Sequence, residues 1–366
     1  MTPNRVLLVA PDRSYRTASF VNAGKALGIQ LTVASWGKAP LAFNAAGILL
    51  DPGSRAVSLS RIKDAAAGAP FTAVLATDDA VVPLAHQICL ALGLPANEPS
   101  ALQASTNKFR FREICKQRGV TTPRFKVIDC EDLSPTELAS VEFPCVVKPL
   151  SLSASRGVIK CEELEDLLQA IPRVQKLVGQ EDSQAEPQVL IESYIDGEEY
   201  SVEAVLCDQK LKVIAVFEKP DPLTGPFFEE TIYLTPPRLS EKILHAIHCA
   251  LSEVCSTLGF REGPVHAELR IANDNIHFIE VASRTIGGRC GRVIKHLTGV
   301  SLETLILSNA VRKPIQSNQE EGAFGVMMIP VPSAGVLRRV EGITAARKVP
   351  GVVSVEIDVR EGQRLV

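Results

Sequence analysis

The stretch VHAELRIANDNIHFIEVASRTIGG, residues 265–288, constrains this chain most, because it reads as a β-hairpin whose two strands each carry a glutamate. Apolar residues lace both sides of the turn-forming trio Asn273-Asp274-Asn275. With those three as the loop, Ala272 faces Ile276, and stepping back along both strands sets Glu268 directly opposite Glu280. Directly opposed side chains have Cβ atoms about 4.5–5.5 Å apart, and like charges there are destabilising. A hard divalent cation would compensate, since Mg²⁺ takes one or two carboxylates and completes its shell with water and phosphate oxygens. Parity puts Arg284 on the side of Glu280, where a guanidinium can stabilise charge on a transferring phosphoryl or acyl group. On the hairpin alone, two unrelated glutamates on a solvated face compete evenly with that reading.

Composition excludes several other classes. The chain has 366 residues, enough for two or three domains, with 46% apolar residues, 22% charged residues and a formal net charge of -3. No basic tract is present, which argues against a nucleic-acid partner. Nine cysteines run from Cys89 to Cys290 without a CxxC pair, so neither a disulfide framework nor a zinc ribbon is expected, and reduced thiols fit an intracellular protein. The opening MTPNRVLLVAPD is too short in apolar residues for a signal-peptide core, and nothing later approaches a membrane span. The expected location is cytoplasmic, with no membrane partner.

Three blocks follow one another. Short apolar runs at Arg5–Ala10, Leu31–Ser35 and Ala73–Thr77 alternate with helical stretches at Ala18–Leu27 and Val81–Leu92, which predicts an α/β layer with a buried parallel sheet. That layer has no GxGxxG fingerprint. The middle block is α+β. Helices are expected at Lys108–Arg118, Glu162–Ala170, Ser240–Leu258 and Val300–Val311, and strands at Cys145–Lys148, Val189–Tyr194 and Tyr200–Leu206. Gly197 lies in a turn, and Gly179–Pro187 is polar enough for an exposed loop. The last block suggests strands at Phe324–Val331 and Val352–Val359, a short helix at Ile343–Lys348 and a Pro350-Gly351 turn. The expected domains are 1–104, 105–312 and 313–366.

Two further stretches bear on chemistry. Val146-Val147-Lys148-Pro149 ends a strand with a lysine, followed by LSLSASRGV, whose backbone N–H groups and hydroxyls can wrap phosphate oxygens, although most such loops are only connections. In ESYIDGEEYSVE, residues 192–203, Glu199, Ser201 and Glu203 share one face of a strand. They could receive ribose hydroxyls or simply face water.

Lys108 at a helix start, VVKP with its small-residue loop, ESYIDGEEYSVE, HAELR and IEVASRTIGG occur in the order and at the spacing of the ATP-grasp superfamily. The chain most resembles its carboxylate-amine ligases of the L-amino-acid (dipeptide) ligase type. The resemblance extends from Thr77-Asp78-Asp79, similar to the end of a Rossmann-like pre-grasp domain, to the final block, similar to a small C-terminal α+β domain. It implies that Lys108 and Lys148 bind ATP phosphates and that Ser153, Ser155, Arg156 and Gly157 belong to the loop closing over them. It further implies an adenine-contacting hinge at Glu192, Tyr194 and Ile195, acting largely through backbone, and a ribose acid at Glu199. Glu268 and Glu280 would be ligands for Mg²⁺ or Mn²⁺, with Arg284 and Lys148 catalytic. Glu230 is implied as the acid for a substrate amino group, and Arg284, Gly287, Gly288 and Arg289 as further substrate contacts.

Some positions depart from the pattern. Ala282 replaces a frequent asparagine after the second metal acid, and Ile232-Tyr233 replaces glycine-histidine after Glu230. Arg289 and Arg292 stand at a helix start, where an anion could bind, although two plain surface arginines are slightly favoured. The implied function is ATP-dependent amide formation between a small-molecule carboxylate and an amine, in a chain compatible with a homodimer. A biotin-carboxylase-like bicarbonate activator and a nucleotide-binding regulator without turnover are the competing functions.

Overall fold

The computed structural model describes residues 4–12, 14–37, 46–181, 185–314, 322–331 and 333–365. It separates into two compact units, 1–326 and 327–366.

The first unit begins with strands β1 (Arg5–Val9), β2 (Gln30–Ser35), β3 (Ala46–Leu49) and β4 (Ala73–Ala76), all parallel in the order β3-β2-β1-β4. Their continuous apolar runs follow from burial on both faces by the helices Thr17–Leu27, Arg55–Gly68 and Val82–Leu92. A 3₁₀ turn, Asp79–Val81, follows β4 at its carboxyl end, the edge where open α/β sheets present ligand-binding groups.

The next sheet, β5 (Phe125–Asp129), β8 (Gln188–Ser193), β6 (Cys145–Lys148) and β7 (Ile159–Cys161), is antiparallel in the order β5-β8-β6-β7. Helix Leu164–Glu181 covers one face with Leu167, Ala170, Ile171 and Val174. The sequence reading ended this helix at Ala170. The apolar stripe in fact carries it through Pro172 to Glu181, so residues 179–181 are helical rather than loop, and 182–184 fall outside the described residues.

The third sheet runs β13 (Asn275–Ala282), β12 (Gly263–Ala272), β9 (Glu198–Cys207), β10 (Lys210–Lys219), β11 (Ile232–Thr235) and β14 (Phe324–Met327). Alternation divides β9 and β12 between two environments. Tyr200, Val202, Ala204, Leu206, Val265, Ala267 and Leu269 pack under helices Glu241–Leu258 and Lys108–Gln117. The intervening Glu199, Ser201, Glu203, His266, Glu268 and Arg270 therefore share the other face.

The opening hairpin differs from its expected register. Its turn has two residues, Asn273 and Asp274, both at positive φ (50° and 62°), and Ala272 pairs with Asn275 rather than Ile276. A β-bulge between the Leu269–Phe278 and Glu268–Glu280 pairs then restores the expected opposition of the acids.

The second unit contains a short antiparallel pair, β15 (Gly335–Val336) and β16 (Arg364–Leu365), and the helical turn Ile343–Ala346. The turn at Pro350-Gly351 is present, with Val352 donating to the Val349 carbonyl. No strand forms over 352–359, and Val353 is 72% exposed. The apolar run has no partner strand among the described residues, so its pattern has no ladder to join. Nor does any helix of the described residues have the length and apolarity to cross a membrane.

Candidate active site

The polar face of the third sheet and the ends of the other two sheets converge on one set of charged side chains. Lys108 opens its helix behind the Asn107 cap, whose Oδ1 accepts from Arg110 N at 3.0 Å. From there its Nζ donates to the Leu152 carbonyl at 2.6 Å and lies 3.3 Å from Glu280 Oε2. Arg284 completes the group, with Nη2 on Glu280 Oε1 at 3.0 Å and Nε on Asp79 Oδ1 at 2.7 Å. Burial works to raise the Glu280 carboxyl, but Lys108 and Arg284 overcome it and hold it below its ordinary range. Burial also opposes the Arg284 cation, and Asp79 and Glu280 outweigh that effect.

Across the hairpin, Glu268 lies 3.1 Å from Lys219 Nζ and 3.7 Å from His266 Nε2. Lys219 also reaches Glu230 Oε1 at 2.6 Å and Glu199 Oε1 at 2.7 Å, while Arg270 Nε holds the other oxygen of Glu199 at 2.8 Å. Burial would raise Glu268, but Lys219 and His266 hold it well below the ordinary carboxylate range. Tyr233, which stands where the resemblance leads one to expect histidine, donates a hydrogen bond to Glu230 Oε2. Two carboxylates facing each other from adjacent strands, each already balanced by cations, form a donor set suited to a hard divalent ion.

Lys148 is deeply buried, with Nζ 2.5 Å from Glu192 Oε2. Arg112 grips the same carboxylate through Nε at 2.7 Å and Nη2 at 3.2 Å. Its Nη1 and Nη2 also donate to the carbonyls of Phe278 (3.2 Å) and Ile279 (2.8 Å), at the bulge. Arg112 thus joins the lysine-bearing sheet to the irregularity that aligns Glu268 and Glu280. The Glu192 side chain is sealed inside this network, and its backbone lies in the ladder between Phe125 of β5 and Val146 of β6. Tyr194 stacks beneath the Lys160 ammonium at 4.1 Å, and the Ile195 carbonyl accepts from Arg270 at 2.9 Å.

The loop between β6 and β7 meets this network at its start, where the Leu150 and Leu152 carbonyls accept from Lys108 N and Nζ at 2.8 and 2.6 Å. Ala154, Ser155 and Gly157 have positive φ, Ser153 is exposed, and Arg156 pairs with Glu181 on the protein's outside. Beyond Arg284, Glu203 is fully buried and accepts from Ile286 N at 2.9 Å, which pins the turn entering Gly287, Gly288 and Arg289. Arg16 donates to the Ile286 carbonyl at 3.3 Å and pairs with Asp78. Arg289 precedes helix Cys290–Thr298 at φ 62°, 5.5 Å from the Tyr15 ring. Glu199 and Glu203 therefore do not form a water-facing edge.

The sequence reading missed Asp79, Arg112, His266, Lys219 and Arg270 as members of this network, and had Glu203 only as an acid beside Glu199 for ribose or water. Parity offered a signal for His266 and Arg270, which flank Glu268 at two-residue spacing. The remaining contacts join segments far apart in sequence.

Comparison with known proteins agrees with this geometry. Residues 141–293 match the ATP-grasp domain and 327–366 the L-amino acid ligase C-terminal domain 2. The chain is 25% identical over 282 residues to protein y4rH of Sinorhizobium fredii, covering 76% of this chain and 57% of that one. It is 27% identical over 258 residues to dapdiamide A synthase of Enterobacter agglomerans, covering 69% and 59%. The chain thus spans less than two thirds of the length of both relatives. The solved L-amino acid ligase of Bacillus licheniformis has the same fold, with a TM-score of 0.79 at 24% identity over 100% of this chain and 90% of that one. The chain thus contains an ATP-grasp domain and an L-amino acid ligase C-terminal domain.

Proposed function

We propose that this protein is an ATP-dependent ligase that joins the carboxylate of an amino acid to an amine, releasing ADP and phosphate. The observation that carries the reading is the pairing of Glu268 with Glu280 across the hairpin, with Lys108 and Arg284 both in contact with Glu280. In the reaction, a carboxylate oxygen attacks the γ-phosphorus of ATP and the bond to ADP breaks, giving an acyl phosphate. The amine nitrogen then attacks the acyl carbon, phosphate departs and the nitrogen loses a proton. Lys108 and Lys148 bind phosphate oxygens, and Arg284 stabilises the charge of the acyl phosphate and of the tetrahedral state that follows. Glu268 and Glu280 would hold Mg²⁺ or Mn²⁺, which neutralises phosphate charge when bound. Glu199 serves the ribose and Glu230 the amino group. The loop carrying Ser153, Ser155, Arg156 and Gly157 closes over the phosphates, and Gly287, Gly288 and Arg289 border the acyl substrate. Positioning and charge stabilisation supply most of the acceleration in such chemistry.

A matrix of amino acids and amines scored by phosphate release identifies the substrates. With an active pair, oxygen-18 in the donor carboxylate should appear in the released phosphate beside ADP. Formation of AMP and pyrophosphate, or retention of all label outside phosphate, would contradict the acyl-phosphate route.

A further inference from the structure

Lys219 is the last residue of β10 and stands directly across from Glu199 on β9. Its ammonium touches one oxygen each of Glu199, Glu230 and Glu268, at 2.7, 2.6 and 3.1 Å. The side chain is only 2% exposed, and the Tyr233 ring lies 5.3 Å from the nitrogen. One oxygen from each of the three acids falls within 4.8 Å of the others, a spacing at which a metal ion could be ligated. An ammonium has three donors and a compact charge, so it can satisfy all three oxygens as a metal would.

We propose that Lys219 is an internal cation that covers Glu268 in the nucleotide-free protein and makes divalent-metal binding there depend on nucleotide. The proposal rests on the reading of Glu268 and Glu280 as metal ligands. Without nucleotide, an incoming divalent ion meets Lys219 on Glu268 and Lys108 with Arg284 on Glu280, so it must displace these cations or bind against their charge. Nucleotide phosphates reverse that balance. They bring negative charge and further oxygen ligands to the same face, and they give the displaced ammonium groups new partners. Lys219 thereby keeps the three acids apart from free metal until the metal–nucleotide complex arrives.

The probe is Mn²⁺, followed by water-proton relaxation, which rises when the ion is held on protein rather than on free nucleotide. Wild-type protein should bind Mn²⁺ appreciably only with β,γ-imido-ATP present. Lys219→Met should bind it without nucleotide at least about tenfold more tightly than wild type, the like-charge repulsion being gone. Adding Glu268→Gln should abolish that gain, and Lys219→Arg should retain the nucleotide dependence. A folded Lys219→Met protein with no gain overturns the proposal. If that variant misfolds, the wild type decides: tight nucleotide-free binding removed by Glu268→Gln overturns it. Failure of wild type to bind Mn²⁺ even with nucleotide overturns the metal reading and this inference together, whereas equal binding with and without nucleotide overturns this inference alone.

Discussion

Arg284 donates to Asp79 at 2.7 Å across 205 residues of sequence, tying the end of the acid-bearing hairpin to the end of the parallel sheet. The same guanidinium spans Glu280 and the Thr285 carbonyl, so its plane is set from three directions. Its charge is thus aimed before any substrate arrives, the condition under which a fixed cation lowers a barrier most.

Arg284→Ala should reduce kcat far more than nucleotide affinity, as expected for an interaction made mainly in the transition state. Asp79→Asn should reproduce a milder form of that defect, on the order of tenfold in kcat, because the arginine keeps Glu280 but loses an anchor. Steady-state kinetics beside calorimetric nucleotide titration separates the two quantities. Equal losses in both would show that Arg284 contributes to ground-state binding instead.

The Arg112–Glu192–Lys148 cluster predicts a pH-dependent stability. Burial works to raise the Glu192 carboxyl, yet Arg112 and Lys148 together hold it below its ordinary range. A depressed folded pKa stabilises the protein above the unfolded value, near 4.3, and that contribution disappears as pH falls through the folded value. Glu192→Gln should cost roughly 3–5 kcal/mol near neutrality, since it leaves buried cations without a counter-charge. In urea titrations the gap between wild type and variant should narrow below about pH 4; a constant gap down to pH 2 would contradict the assignment.

Lys148→Ala should preserve the fold, because Glu192 keeps two hydrogen bonds from Arg112. Its loss should appear in ATP affinity, on the order of 1.5–3 kcal/mol for one charge-assisted contact. Unchanged affinity by calorimetry would place this lysine away from the phosphates.

Residues 151–157 carry the positive-φ positions Ala154, Ser155 and Gly157, and their hydroxyls lie outside the central charge network. Amide hydrogen exchange there should be fast without nucleotide and slow with a non-hydrolysable ATP analogue, the behaviour of a lid. Identical protection in the two states would argue for a static loop.

The two-residue turn at Asn273-Asp274 offers a test of register. Asp274 sits at φ 62°, where glycine is less strained. Asp274→Gly should therefore leave activity intact and raise stability by less than about 1 kcal/mol, read as a small rise in Tm. A loss of activity would mean that the turn does more than set the pairing of Glu268 with Glu280.

The sequence by itself determined the alternation that sorts Glu199, Ser201 and Glu203 onto one face of β9, the parallel layer before residue 100, and the opposition of Glu268 to Glu280. These follow from local periodicity, because side chains repeat every two residues along a strand and apolar runs mark buried ones. The opposition emerged even though the turn was read one residue too long, since the bulge beside Glu280 restores the missing residue. Only the tertiary structure decided what neutralises those acids. Lys219 reaches Glu199 and Glu268 from β10 and Lys108 reaches Glu280 from a helix start distant in the chain, and the choice of partner depends on how sheets pack rather than on spacing. The same reason explains the failed strand at 352–359, where a suitable apolar pattern has no neighbouring strand among the described residues to complete its hydrogen bonds.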